Sequence, residues 1–236
     1  MADSRHRLAG RTVLIAGATS AAGLAVAAEL SAAGARVIAV GSNAERLTAL
    51  QGRAPGVLTH VCDLTDFAAV TALADNLRVE QFDGGRGPID GLIHLVGGWR
   101  GGGGLAGQTD EDWAFLHGHI VTTLRNTTRA FNQDLLASPA GRLAIVSSVA
   151  VDKPAPGGAN YAAAKAAAET WTRAVGQGFA KAGSESVPTA AAVIFVVRAL
   201  DGLEPRLAEA VAGLWDAPAA SMNNSRIPLH AETRTG

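Results

Sequence analysis

Tyr161 and Lys165 stand four positions apart in an alanine-rich stretch, and Ser148 lies thirteen residues upstream of the tyrosine. On a helix, a spacing of four puts two side chains on one face, a turn apart. A phenol with a pKa of about 10 is a poor proton donor or acceptor at neutral pH. An ammonium group beside it favours the phenolate and lowers that pKa, each unit being worth roughly 1.4 kcal/mol. Ser148 closes a run of β-type residues, where its hydroxyl can bond a substrate oxygen while Tyr161 moves the proton. A bare Tyr-x-x-x-Lys is more often a solvated helix face than a catalytic pair. Here Tyr161 is the only tyrosine in the chain, and the serine precedes it in a strand-then-helix context.

A second candidate lies near the start. The apolar run Thr12–Ala16 leads into Gly17-Ala-Thr-Ser-Ala-Ala-Gly23 and then an Ala-rich helical stretch. Such a turn aims helix N-terminal N–H groups at a phosphate, and glycine lets the backbone approach it. Taken alone, the turn is equally compatible with simple packing. Asp63 ends a third apolar run, where a bound base would lie above the carboxyl edge of a parallel sheet. Its plainer role is the N-cap of the next helix.

These side chains need elements to hold them. Strands are expected at Thr12–Ala16, Arg36–Val40, Val57–Val61, Gly91–Val96, Arg142–Ser147, Ala192–Val197 and Arg226–Leu229. Helical stretches fall near 20–33, 43–51, 66–78, 110–137, 159–182 and 203–215. Strand alternating with helix argues for βαβ units and a doubly wound, Rossmann-type α/β fold, seven parallel strands in the order 3-2-1-4-5-6-7 with helices on both faces. Runs such as Val193-Ile-Phe-Val-Val197 lack polar alternation, as strands buried on both sides do. Gly34 and Gly183 sit where helices should stop, and Thr109 or Asp110 suits an N-cap. Composition does not shift along the chain, so one domain over 1–236 is expected, with a polar tail from His230.

Composition removes several alternatives. The 236 residues are 48% apolar and carry a net charge of −1, unlike a disordered chain. Twenty Lys+Arg against twenty-one Asp+Glu leave no basic excess for nucleic acid. Cys62 is alone, so no internal disulfide or Cys-based zinc site can form. His117 and His119, two apart on a helix, point to different sides, so with His94 they do not make a metal set. Basic residues at Arg5, Arg7 and Arg11 before the uncharged run Thr12 to Ala28 imitate a signal peptide. Gly17, Thr19, Ser20 and Gly23 interrupt that run, and a cytoplasmic protein without a membrane span is expected.

Together these motifs resemble the short-chain dehydrogenase/reductases over nearly the whole chain. Ala16-Gly-Ala-Thr-Ser-Ala-Ala-Gly23 is similar to their Thr-Gly-x-x-x-Gly-x-Gly cofactor motif. Ile145-Val-Ser-Ser-Val-Ala150 followed by Tyr161-Ala-Ala-Ala-Lys165 resembles their catalytic serine and Tyr-x-x-x-Lys. Cys62-Asp63-Leu64-Thr65 looks like their adenine contact, and Trp113 matches a tryptophan early in the fourth helix. The resemblance implies NADP or NAD as cofactor and hydride transfer between nicotinamide C4 and a carbonyl or alcohol carbon of a small molecule. It makes Tyr161 the acid/base, has Lys165 lower its pKa and hold the nicotinamide ribose, and gives Ser148 the substrate oxygen. The implied cofactor-binding set is Gly17, Thr19, Ser20, Ala21, Ala22, Gly23, Ser42, Asn43, Asp63, Leu64, Val96 and Gly97, with Tyr161 and Lys165. A homo-oligomer, dimer or tetramer, through helices 110–137 and 159–182 is also implied.

The departures from the family pattern are specific. Ala21 stands at the second motif glycine, a change tolerable only if its φ is negative. His94-Leu-Val-Gly97 replaces Asn-Asn-Ala-Gly, and the fourth-helix asparagine falls on Ile120. Thr122 or His119 can substitute for it only if the helix register shifts. Arg198-Ala-Leu-Asp-Gly202 stands where a Pro-Gly…Thr segment is expected. Gly41-Ser-Asn43 lacks the carboxylate that bonds a ribose 2′-hydroxyl, which favours NADP over NAD, with Arg46 one turn further on. Two functions are therefore weighed: an NAD(P)-dependent oxidoreductase, and a catalytically weakened dinucleotide-binding sensor or scaffold of the same fold.

Overall fold

The computed structural model describes residues 7–83, 87–183 and 187–230. Its strands are β1 (Thr12–Ala16), β2 (Arg36–Gly41), β3 (Leu58–Val61), β4 (Gly91–His94), β5 (Arg142–Ser148), β6 (Ala191–Val197) and β7 (Ser225–Pro228). All pair in parallel, in the order β3-β2-β1-β4-β5-β6-β7. The helices are α1 (Ala21–Ala32), α2 (Ala44–Arg53), α3 (Phe67–Asp83), α4 (Asp110–Leu116), α5 (Thr123–Ala137), α6 (Ala159–Ala182), α7 (Glu204–Ala212) and α8 (Ala219–Met222). The uncharged N-terminal run thus divides between β1 and α1. No helix among the described residues is long and apolar enough to cross a membrane. Of the expected polar tail, 231–236 lie outside the described residues.

The sheet is buried on both faces because alternate residues serve two cores. On β1, Val13 and Ile15 pack with α1 and α7 residues such as Val26, Leu30, Leu207 and Val211. Leu14 and Ala16 face α3 and α5, against Val70, Leu77, Phe131 and Leu135. A strand covered on both sides leaves no position for a polar side chain, which explains its unbroken apolar run. A third cluster joins α4 to α6 with the carboxyl ends of β5 and β6, and includes Leu116, Ile120, Leu124 and Ala164.

Local signals set the helix starts. Ser20 caps α1 by accepting from the Gly23 N–H at 3.0 Å, Asn43 caps α2 from the Arg46 N–H at 2.8 Å, and Thr109 caps α4 from the Asp112 N–H at 3.1 Å. Asp63 is not the cap of α3. Asp66 takes that role, accepting from the Ala68 N–H at 2.8 Å, while Asp63 folds back on the Thr65 N–H and hydroxyl at 2.9 and 2.7 Å.

The stretch 110–137 is not one continuous helix. Between α4 and α5, His117–Thr122 form a π-helical turn. Such a turn inserts one residue into the α-ladder and rotates every later side chain about the helix axis. With that register it is Thr123 that meets His94 at the sheet edge, while His119 stacks on Phe115. The Thr123 hydroxyl donates to the His119 carbonyl at 2.6 Å and meets His94 Nε2 at 3.1 Å. Ile120 is buried in the third core cluster and offers no polar group to the cleft.

Candidate active site

A cavity of about 1320 Å³ opens along the carboxyl edge of the sheet. At one end it is lined by Ser20, Ala21 and Ala22, at the other by Ser148, Tyr161 and Lys165, with Val96 and Gly97 between. The seven-strand parallel sheet therefore places both sequence candidates on one cleft. Gly17, Thr19 and Gly23 shape the turn from behind and do not line the cavity. Ser42, Asn43, Asp63 and Leu64 stand after β2 and β3, further along the same sheet edge.

The turn is built for close backbone approach. Gly17 has φ +82°, and a Cβ there would lie 2.8 Å from the Val96 nitrogen. A Cβ added to Gly23 would lie in the backbone of Ala18, against its carbonyl oxygen. Ala21 is different, because it opens α1 and Asn224 is the only non-glycine residue with positive φ among the described residues. Its methyl carries no backbone strain. The Asp63 loop is held from α5, where Asn126 Nδ2 donates to the Leu64 and Thr65 carbonyls at 3.1 and 2.9 Å.

The Ser148, Tyr161 and Lys165 side chains converge. Ser148 and Tyr161 line the cavity together, and the serine hydroxyl draws the phenol pKa downward. Ser148 Oγ also accepts from the Ala150 N–H at 3.1 Å. Lys165 is buried, donates from Nζ to the Val146 carbonyl at 2.7 Å, and lies 5.8 Å from the Tyr161 ring centre. Gly97 lies beside it, and a Cβ there would make only ordinary contact with Nζ at 3.8 Å.

The charge states differ from the simple expectation of a lysine-lowered phenol. Burial pushes the Tyr161 pKa up and outweighs the Ser148 hydroxyl, which pulls it down. Burial also lowers Lys165 to about 8, against the field of Glu169. The ammonium is thus itself disfavoured where it sits, and it spends a hydrogen bond on Val146. One turn beyond Lys165, Glu169 is fully buried and accepts from Ser147 Oγ at 2.7 Å and Arg173 at 2.6 Å, with Arg226 at 3.2 Å. It ties α6 to the strand that carries Ser148.

Sequence reasoning passed over His94 as a site residue. It lies on the cavity wall, 3% exposed, and burial followed by the Lys165 charge depress its pKa to about 3. Because Thr123 gives its only proton to the His119 carbonyl, His94 Nε2 must be the donor between them, and with burial keeping the ring neutral Nδ1 carries no proton. The unfolded chain takes up a proton at this residue below about pH 6.5, whereas the folded chain refuses it until about 3. Stability accordingly falls as pH drops through that window, by up to roughly 5 kcal/mol from this group. In urea titrations at pH 7 and pH 4, His94→Asn is expected to lose much less stability than the wild type. An equal loss in both proteins would contradict the assignment.

The glycine-rich segment after β4 is ordered for a reason its composition did not reveal. Trp99 and Gly102 reach the cavity, and Arg100 stacks on Phe115, its guanidinium carbon 3.8 Å from the ring centre. Beyond β6, Arg198 to Asp201 line the same cleft. Among the described residues, no three His, Cys, Asp or Glu side chains are grouped to hold a metal ion.

A doubly wound parallel sheet with a serine, tyrosine and lysine gathered at its carboxyl edge is the framework of a Rossmann-type oxidoreductase. The sequence profile of the short chain dehydrogenase family matches residues 11–193, and the chain belongs to that family. It is 29% identical over 171 residues to 2,3-dihydro-2,3-dihydroxybenzoate dehydrogenase of Bacillus subtilis (strain 168), covering 71% of this chain but only 63% of that relative's length. It is 30% identical over 179 residues to galactitol 2-dehydrogenase of Rhizobium johnstonii, covering 73% and 67%. In fold it is similar to an NADPH-bound short chain oxidoreductase of Pseudomonas aeruginosa PAO1 described as containing an atypical catalytic center. The TM-score is 0.81 at 21% identity, with 98% and 99% of the two chains covered.

Proposed function

We propose that this protein is an NADP(H)-preferring oxidoreductase that interconverts a carbonyl and an alcohol on a small molecule, with Tyr161 as the acid/base. One observation carries the reading. Ser148, Tyr161 and the buried Lys165 share a cavity with the N-terminus of α1. The turn suits a dinucleotide because Gly17 and Gly23 let it pack tightly on Val96 and Ala18 while Ser20, Ala21 and Ala22 at the start of α1 open on the cavity. The α1 N-terminus would hold its diphosphate and Lys165 its ribose, and the bound nicotinamide supplies or accepts the hydride.

The chain's own residues then have separate tasks. Ser148 Oγ bonds the substrate oxygen and fixes its position. In reduction, Tyr161 gives its hydroxyl proton to that oxygen; in oxidation it takes the proton back. The Lys165 cation stabilises the tyrosinate that reduction leaves behind. Trp99, Leu200 and Val149 give the cavity apolar wall against which the rest of the substrate packs.

The preference for NADP(H) rests on Ser42 and Asn43, which put no carboxylate after β2, and on Arg46 in the first turn of α2. In fluorescence titrations NADPH is expected to bind more tightly than NADH. Arg46→Ala should weaken NADPH about tenfold and leave NADH unchanged, the value of one charge-assisted contact. Equal affinities in the wild type would reject the preference, and binding of neither would reject the function. Ile120 and the 198–202 segment favour a second reading, a dinucleotide-binding sensor. NADPH binding without turnover on a broad carbonyl panel would select it.

Helices α4 to α6 are the proposed face for a homodimer or tetramer. Light scattering at micromolar concentration that returns a monomer would remove that proposal.

A further inference from the structure

Gln108 belongs to none of the recognised motifs, yet its side-chain amide joins three segments beside the cavity. Its Nε2 donates to the carbonyls of Gly102 at 3.2 Å, Gly104 at 3.3 Å and Gly157 at 3.0 Å. Its Oε1 accepts from the Asn160 N–H at 3.0 Å. The orientation of the amide is forced, since carbonyls only accept and a backbone N–H only donates. Asn160 immediately precedes Tyr161 in the first turn of α6, a helix whose own N-cap, Gly158, has no side chain to offer. Gln108 therefore satisfies, from a distant loop, an N–H that α6 cannot satisfy itself.

The other end of the amide holds the glycine run. Gly101 to Gly104 all have positive φ, and a Cβ at Gly101 would lie against the Gly157 carbonyl oxygen. The Gly102 N–H donates to that same carbonyl at 2.7 Å. Gly102, Gly157 and Gly158 line the cavity with Trp99. Arg100 anchors the start of the loop to α4 through Phe115, Glu111 and Asp112. The contacts to Gln108 and Gly157 decide whether its glycine tip lies against the α6 start or swings away.

We propose that Gln108 is a positioning residue: its carbonyl oxygen caps the helix that presents Tyr161, while its NH2 group latches the 99–107 loop over the substrate. Closure of the cavity and placement of the phenol are thereby coupled through one side chain. The kinetic part of this inference rests on the proposed role of Tyr161; the latch itself does not.

Two variants separate the two ends of the amide. Gln108→Glu keeps an oxygen for the Asn160 N–H, where a negative charge suits a helix N-terminus, but has nothing to donate to three carbonyls. Gln108→Ala loses both functions. Hydrogen exchange measured by mass spectrometry should quicken over 99–107 in both variants, and at the start of α6 only in Gln108→Ala. In Gln108→Glu, KM for the carbonyl substrate should rise about tenfold with kcat within about twofold, a loss of uniform binding. In Gln108→Ala, kcat should fall about tenfold as well. NADPH affinity should stay constant in both. Unchanged exchange over 99–107 in Gln108→Glu would overturn the latch. Identical kinetic losses in the two variants, tracking a common loss of thermal stability, would reduce Gln108 to a structural residue. Both exchange changes in the variants, together with a wild-type protein that turns over no carbonyl, would uphold the latch and overturn the proposed activity instead.

Discussion

Tyr161→Phe is expected to lower kcat for carbonyl reduction by about 100- to 10,000-fold, the usual range for a positioned general acid, with NADPH affinity unchanged. The size follows from the lack of a substitute. Tyr161 is the only tyrosine in the chain. Lys165 gives a hydrogen bond to Val146, and His94 is neutral with a proton committed to Thr123. Ser148 can donate a hydrogen bond to the substrate oxygen, but a serine alkoxide is a far worse leaving base than a tyrosinate. The pH profile supplies a second readout. Tyr161 is pushed upward and so keeps its proton well above neutrality, whereas Lys165 loses its charge near 8. The cation that stabilises the developing tyrosinate is present below that value. Thus kcat/KM for reduction in the wild type should fall as pH rises through about 8, and the residual rate of Tyr161→Phe should lack this limb. Undiminished turnover in the variant would sink the acid/base assignment.

The elements around that tyrosine were legible because each has a local cause. The buried strands wrote themselves as unbroken apolar runs, as in β1 and β6, and the helix starts at Ser20, Asn43 and Thr109 carry side chains that cap their own next turn. The π-turn at His117–Thr122 has no such cause, since the same residues would extend an α-helix without conflict. Packing of Ile120 inward and of Thr123 onto His94 decides the register, and both contacts involve residues distant in sequence. Gln108 was invisible for the same reason: its key partners, Gly157 and Asn160, are 49 and 52 positions away. Asp63 shows the limit of a local reading, because Asp66, three residues on, competes for the same capping role and wins it. Of the site, the catalytic-type residues could be read from type and spacing. His94 and Thr123 could not, because only folding brings His94 to Lys165 and Thr123 to His94. Glu169, by contrast, stands one helical turn beyond Lys165 in the same helix and belongs to no motif.

Glycine count alone says little about which glycines matter, and Gly17→Ala makes the distinction measurable. Gly17 follows β1 with φ +82°, a conformation that costs an alanine about 1–2 kcal/mol before any contact is considered. The added methyl would also meet the Val96 nitrogen at 2.8 Å and the Leu95 carbonyl carbon at 2.9 Å. Those atoms are backbone at the end of β4, and Gly17 is itself pinned by its N–H to the Val40 carbonyl at 3.0 Å. No side chain can rotate out of the way, so relief requires moving the turn that leads into α1 or the strand end that carries Val96 and Gly97. Either movement disturbs the cleft between Ser20 and Lys165. NADPH affinity should fall at least about 100-fold, equivalent to roughly 3 kcal/mol, with thermal unfolding several degrees earlier. Gly52→Ala is the control, since that helical glycine in α2 has open space around it and no positive φ. It should bind NADPH as the wild type does and gain about 0.5–1 kcal/mol of stability. If Gly17→Ala bound NADPH normally, the turn after β1 would not be the dinucleotide cradle, whatever Tyr161 does.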